Sequence, residues 1–201
     1  MMNKQNILTR KLIAIGASAG GVEALSKIVP HFPANFPPVV MVVHMPQGFT
    51  KMLATRLSSL QGTCVKIKEA ISGDSLLQGQ VLIAPAGKHM RLIEQSGGKL
   101  SVECFMGEKV QGVMPSADVL FESVANLSRV TRANAIGVIL TGLGADGAKG
   151  LKMMRDNGAR TIGQNKETSA IYGMPKVAMD IGAVEYQLPL NQIVGKILSL
   201  L

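Results

Sequence analysis

Residues 13–25, IAIGASAGGVEAL, run from a short apolar stretch through a Gly/Ala/Ser turn into a segment with apolar residues at helical spacing. A strand, a tight turn and a helix in that order can do one of two things at the turn. The turn can cradle a phosphate, or it can present a serine as a nucleophile. Gly16-Ala17-Ser18-Ala19-Gly20 fits the G-x-S-x-G spacing of a nucleophile elbow. The same residues miss the dinucleotide pattern G-x-G-x-x-G by one position, because Ser18 stands where the second glycine belongs.

Outward from this unit the pattern alternates. KLIAI (11–15), PVVMVV (38–43) and AIGVIL (135–140) are apolar runs of the buried-strand kind, and GVEALSKIV (21–29) and TKMLATRLSSL (50–60) read as amphipathic helices. A middle section, TCVKIKEA, GQVLIAP, MRLIEQ and KLSVECF, is strand-like, and Ser96-Gly97-Gly98 between its last two members is a hairpin signal. SADVLFESVANLS (116–128) reads as a helix capped by Ser116, and DGAKGLKMMRDNG as another. RTIGQ, PKVAMDIG, VEYQL and LNQIVGKILSL carry the alternation to the end. The fold expected is α/β, a doubly wound, mostly parallel, Rossmann-like sheet with an antiparallel hairpin extension. No linker or repeat interrupts it, so residues 1–201 are read as a single domain with 1–10 as an N-terminal tail.

Composition narrows the function classes. With 47% hydrophobic and 17% charged residues the chain can build a substantial core, and with only 3% aromatics that core is aliphatic and Met-rich. The net charge of +8 favours acidic partners. Its cations are dispersed and few aromatics are present to stack bases, so nucleic acid is not expected among them. Cys64 and Cys104 are isolated and read as buried or inert thiols of a reducing cytosol. No apolar run approaches the roughly 18 residues of a membrane span. Lys4, Arg10 and Lys11 before LIAIGASAG mimic a signal peptide, but the apolar stretch is short and cleavage would remove the first core strand. A cytoplasmic location without membrane insertion is expected.

In such sheets ligands gather beyond the carboxyl ends of the strands. GLGADG (142–147) satisfies G-x-G-x-x-G there, but no acidic residue stands at the end of the next strand, where Gln164 and Asn165 follow RTIG. A nucleotide site is the weaker reading. A serine nucleophile needs a base, and the chain offers His31, His44 and His89. His31 belongs to a surface loop, and His89, after APAGK, could border the same cleft. His44, directly after VVMVV, is better placed. Asp146, between glycines at the same edge, could hold its imidazole, with Asp74 and Asp118 as rival acids. Because no histidine follows residue 89, a triad that takes its acid from the C-terminal half runs Ser, His, Asp, which argues against the usual esterase fold with its order Ser, acid, His.

IGASAGGVEAL, VVHMPQGFT, APAGKHM, PSADVLF, GVILTGLGADGAKG, TIGQN and YGMPKVA together resemble the catalytic domain of the chemotaxis protein-glutamate methylesterase family, from about Lys11 to near the C-terminus. The resemblance implies a Ser-His-Asp hydrolase with Ser18, His44 and Asp146 as its triad. The implied activity is to demethylate glutamyl methyl esters, and to deamidate certain glutamines, on the cytoplasmic helices of methyl-accepting chemoreceptors. That would tune chemotactic adaptation. Neither cofactor nor metal is expected. By position, the backbone N–H groups of Ala19 and Leu143 are the expected oxyanion donors. Three residues depart from the family's habit: Ala19 replaces a common Thr, Val43 a Gln and Leu143 a Met. Gly112-Val113-Met114-Pro115 also stands where an Arg/His-rich segment is usual. That change is the argument for the alternative, a catalytically silent receptor-binding or signalling module. Family members usually carry a receiver domain before this one; the chain reads either as a stand-alone form, with a separate regulatory protein as a further partner, or as a trimmed piece of a longer protein.

Overall fold

The computed structural model describes residues 11–201; the tail expected at 1–10 lies outside the described residues. Strands β1 (Leu12–Ala17) and β2 (Val39–Val43) are separated by helix α1 (Gly21–Ile28), which tightens into a 3₁₀ turn over Val29–His31. Helix α2 (Phe49–Ser58) leads to β3 (Lys66–Glu69) and β4 (Gln80–Ile83). Then come β5 (His89–Glu94), β6 (Leu100–Phe105), α3 (Ala117–Ala125) and α4 (Arg129–Ala133). Strand β7 (Ala135–Ile139), α5 (Ala148–Asp156), β8 (Arg160–Gln164), α6 (Met174–Asp180), β9 (Tyr186–Leu188) and α7 (Leu190–Leu200) complete the chain.

Seven strands form one sheet in the order β3-β4-β2-β1-β7-β8-β9, every pair parallel. The period-2 geometry of a strand explains why both faces are covered. Ile13, Ile15 and Ala17 of β1 join Val39, Met41 and Val43 of β2 in one core, with residues of α1, α2 and α7. Leu12 and Ala14 join Val40 and Val42 in the other, with α3, α5 and α6. On that second face β1 and β7 carry Gly16 and Gly137. A Cβ on Gly16 would lie 2.9 Å from the Ala117 Cβ, and one on Gly137 would lie 2.5 Å from the Leu151 Cδ1. The missing side chains let α3 and α5 sit close to the sheet.

The expected hairpin is present: β5 and β6 pair antiparallel from His89↔Phe105 to Glu94↔Leu100. It makes a two-stranded sheet of its own instead of lengthening the large one. Its inner residues Met90, Leu92, Leu100 and Val102 feed the core under α3, and the Leu92 N–H donates to the Ser123 Oγ at 3.0 Å. Among the described residues no helix is long and apolar enough to cross a membrane.

Candidate active site

The chain leaves β1 one way, through β2 to β4 and β3, and later returns to β1's other side with β7. The carboxyl ends of β2, β1 and β7 therefore flank the point where the winding reverses, which is where an α/β sheet opens a crevice. Ala17 pairs with Val43, so Ser18 and His44 occupy the next position on neighbouring strands, and the His44 N–H donates to the Ala17 carbonyl at 3.1 Å. Strands of one sheet lie about 4.8 Å apart. On the other flank the Ser18 N–H donates to the Thr141 carbonyl at 3.0 Å, stitching the serine's turn to the end of β7. Gly142 is pressed against that turn: a Cβ there would lie 2.7 Å from the Ser18 Cβ and 2.2 Å from the Met174 Sδ. Only a residue without a side chain lets the two backbones meet.

His44 and Asp146 are joined. The His44 Nε2–H donates to Asp146 Oδ2 at 2.8 Å, and an imidazole that donates from Nε2 keeps its lone pair on Nδ1. His44 is partly exposed and Asp146 is buried. Asp146 also accepts from the Ser116 hydroxyl at 2.6 Å and from the N–H groups of Ala117 (2.6 Å) and Asp118 (3.1 Å). Those two amides open α3 and have no partner within their own helix, so a carboxylate satisfies them and sits at the positive end of the helix dipole. Burial works to raise the Asp146 pKa, but the donors from His44, Ser116, Ala117 and Asp118 outweigh it and hold the carboxyl below its ordinary range.

Ala19 and Leu143, the two expected backbone donors, are exposed, Leu143 at 72%. Neither N–H is spent on a hydrogen bond among the described residues. They project from the turns after β1 and β7, the two turns that Gly142 brings into contact.

The remaining candidates fall elsewhere. His31 is exposed at the far end of α1. His89 is 2% exposed and does not border the cleft. Its Nδ1 accepts from the Ser116 N–H at 3.2 Å, so its Nε2–H donates to the Glu108 carbonyl at 2.9 Å. It braces the segment that enters α3. Asp74 pairs with Lys68 at 2.6 Å and holds no histidine. Asp118 is buried beside Asp146 and accepts from Gly150 and Gln111. Of the thiols, expected to be buried or inert, Cys64 is exposed: it lies in the turn between α2 and β3, outside both cores. Cys104 is partly covered, and burial pushes its thiol up to about 11, which keeps it protonated and poorly nucleophilic.

Sequence reasoning missed much of what holds the turns in place. Ser116 is the α3 cap that was expected, its hydroxyl accepting from the Val119 N–H, but its bond to Asp146 was not foreseen. Buried Thr141 donates from Oγ1 to the Ala19 carbonyl at 2.9 Å and accepts from the Ile171 N–H at 2.9 Å. Buried Gln164 accepts from the Thr141 N–H at 2.8 Å and donates to the Thr168 carbonyl at 2.7 Å. The available signal was that Ser116 and Gln164 lie within PSADVLF and TIGQN, two of the stretches carrying the resemblance. The departing segment 112–115 forms the turn before Ser116, with the Met114 carbonyl accepting from the Gly87 N–H at 3.2 Å.

Comparison with known proteins agrees with this architecture. The family model described as CheB methylesterase matches residues 13–197. A protein-glutamate methylesterase/protein-glutamine glutaminase of Syntrophomonas wolfei is 54% identical over 90% of this chain and 52% of its own length. One of Sulfurimonas denitrificans is 50% identical over 96% of this chain and 53% of its own. The chain thus spans about half the length of the curated relatives it matches. The crystal structure of the Thermotoga maritima CheB methylesterase catalytic domain superposes with a TM-score of 0.90 at 38% identity, covering 95% of this chain and 98% of that one.

Proposed function

This chain belongs to the CheB methylesterase family, and on that premise we propose that it is a serine hydrolase that demethylates protein glutamyl methyl esters and deamidates protein glutamines. The observation that carries the reading is the 2.8 Å bond from His44 to Asp146, at the sheet edge where Ser18 leaves the neighbouring strand.

In this reading the Ser18 Oγ attacks the side-chain carbonyl carbon while its proton passes to His44 Nδ1. Asp146 stabilises the imidazolium through Nε2–H and fixes the ring. The tetrahedral oxyanion is met by the Ala19 and Leu143 N–H groups, backbone donors left unspent in the two turns. Collapse expels methoxide, or ammonia from glutamine, with the proton taken back from His44. Water then gives a proton to His44 and attacks the acyl-enzyme. A glutamate carboxylate is released and Ser18 is restored.

The substrates proposed are methyl-accepting chemoreceptors, whose acidic cytoplasmic helices suit a chain of net charge +8. The work would be done in the cytoplasm. Exposure of Ala19 and Leu143 beside the nucleophile suits a side chain presented on a protein surface. The changed 112–115 segment abuts the cap that holds Asp146, so the silent-module reading turns on one assay. Methanol release from methylated receptor membranes is expected from the wild type, and its loss by several orders of magnitude in Ser18→Ala with binding retained. Receptor binding without release by the wild type would leave the silent module standing.

A further inference from the structure

Asp118 is a buried carboxylate that the proposed chemistry does not use, and its surroundings mirror those of Asp146. Asp146 lies just before α5 and accepts from Ala117 and Asp118, the first N–H groups of α3. Asp118 lies in the first turn of α3 and accepts from the Gly150 N–H in the first turn of α5 at 2.8 Å, with the Gly147 N–H also favouring its charge. The first turn of α3 is thus capped by a carboxylate from the turn before α5, and the first turn of α5 by a carboxylate on α3. The crossing is tight, since a Cβ on Gly150 would lie 2.7 Å from the Asp118 carbonyl oxygen. The second oxygen of Asp118 accepts from Gln111 Nε2 at 2.6 Å, and the same amide nitrogen reaches the Ala145 carbonyl at 3.5 Å, next door to Asp146.

We infer that Asp118 is a positioning residue for Asp146: by capping α5 and clamping Gln111 it fixes the turn 145–147 and so the carboxylate that orients His44. The inference rests on the proposed role of the triad. Asp118 touches no reacting atom and acts through Asp146. A carboxylate displaced even slightly would turn the His44 ring, and misplacement by 1 Å can cost about 100-fold in rate.

Two readouts on the full chain test it. One is the rate at which a fluorophosphonate probe labels Ser18, and the other is the NMR resonance of the His44 Nε2–H in ¹⁵N-histidine protein. In Asp118→Asn labelling should slow roughly tenfold, less than the ~100-fold that a 1 Å misplacement can cost, and the Nε2–H resonance should move upfield as its bond to Asp146 loosens. Gln111→Asn guards against a folding failure in the first variant. Position 111 is exposed with φ of 51°, a backbone that Asn tolerates, and the shorter side chain cannot reach Asp118. It should shift both readouts the same way by less. Labelling and resonance unchanged in both variants would overturn the inference, as would slowed labelling with the resonance unmoved, which would give Asp118 a role in folding alone. A wild type that is never labelled at Ser18 would sink the nucleophile reading instead, and the resonance alone would still decide whether Asp118 governs Asp146.

Discussion

Asp118 and Asp146 sit side by side with their acidities displaced in opposite directions, and the displacement makes their contributions to stability separable by pH. Burial, followed by the charge of Asp146, raises the Asp118 pKa, while its hydrogen bonds fall short of cancelling them. Asp146 is lowered, as described. An unfolded Asp titrates near ~3.9. Asp146 therefore contributes stability above that value, and the contribution is lost as pH falls through its lower folded pKa. For Asp118 the sign reverses. Between ~3.9 and its raised folded pKa the unfolded chain has released a proton that the folded chain retains, so stability falls as pH rises through that window. Urea unfolding followed from about pH 3 to pH 7 should show the wild type with both slopes. Asp118→Asn should show a shallower decline with rising pH, the rest coming from Glu122, and Asp146→Asn a smaller acid loss, the rest coming from Asp74 and Glu185. Identical pH slopes in all three proteins would contradict this assignment.

Helices meet here through glycine, and the same substitution should have opposite effects at two of them. In α5, Gly150→Ala would press a methyl group to within 2.8 Å of the Phe121 Cβ and against the Asp118 backbone. Overpacking of this kind costs about 1–3 kcal/mol, and because it spreads the α3–α5 crossing it should lower activity as well. In α7, Gly195 has open space where a Cβ would stand, and there Ala should stabilise by about 0.5–1 kcal/mol through helix propensity. Thermal melts together with esterase rates check both signs. An activity loss in the Gly195 variant would show that α7 matters to the site in a way its packing does not reveal. Element recognition had its own limits. The buried parallel strands were legible because Ile13–Ile15 and Val39–Val43 are unbroken apolar runs. Helix α4 was not, since its five residues carry no apolar period. It is held from outside, by the Ser128 N–H and the Ser128 and Thr131 hydroxyls donating to Glu94 on β5. The hairpin was legible from Gly97-Gly98, but its separation from the main sheet depends on packing beneath α3, which no local signal encodes.

Over the whole molecule the excess of cations predicts how a receptor would be met. If association with an acidic helix is electrostatic, raising ionic strength from ~0.05 to ~0.5 M should raise KM for receptor membranes and leave kcat nearly constant, since screening weakens long-range attraction far more than the short hydrogen bonds around buried Asp146. An equal effect on kcat would point to a different limiting step. At this scale, Ser18, His44 and Asp146 could be nominated from sequence because strand ends are where such sheets place ligands. The fixtures behind them, Thr141 to Ala19 and Gln164 to Thr141, join residues as far as 122 positions apart and leave no periodic trace. The order of strands has one last implication. Everything on the β2 side of β1 comes from the first half of the chain, and β7, β8 and β9 come from the second. The seam runs between β1 and β7, so the serine and histidine belong to one half and the aspartate to the other. If the chain were severed at the Ser96–Gly98 turn, neither fragment would own all three residues of the proposed triad, and any hydrolysis would be a signal that the two had found each other.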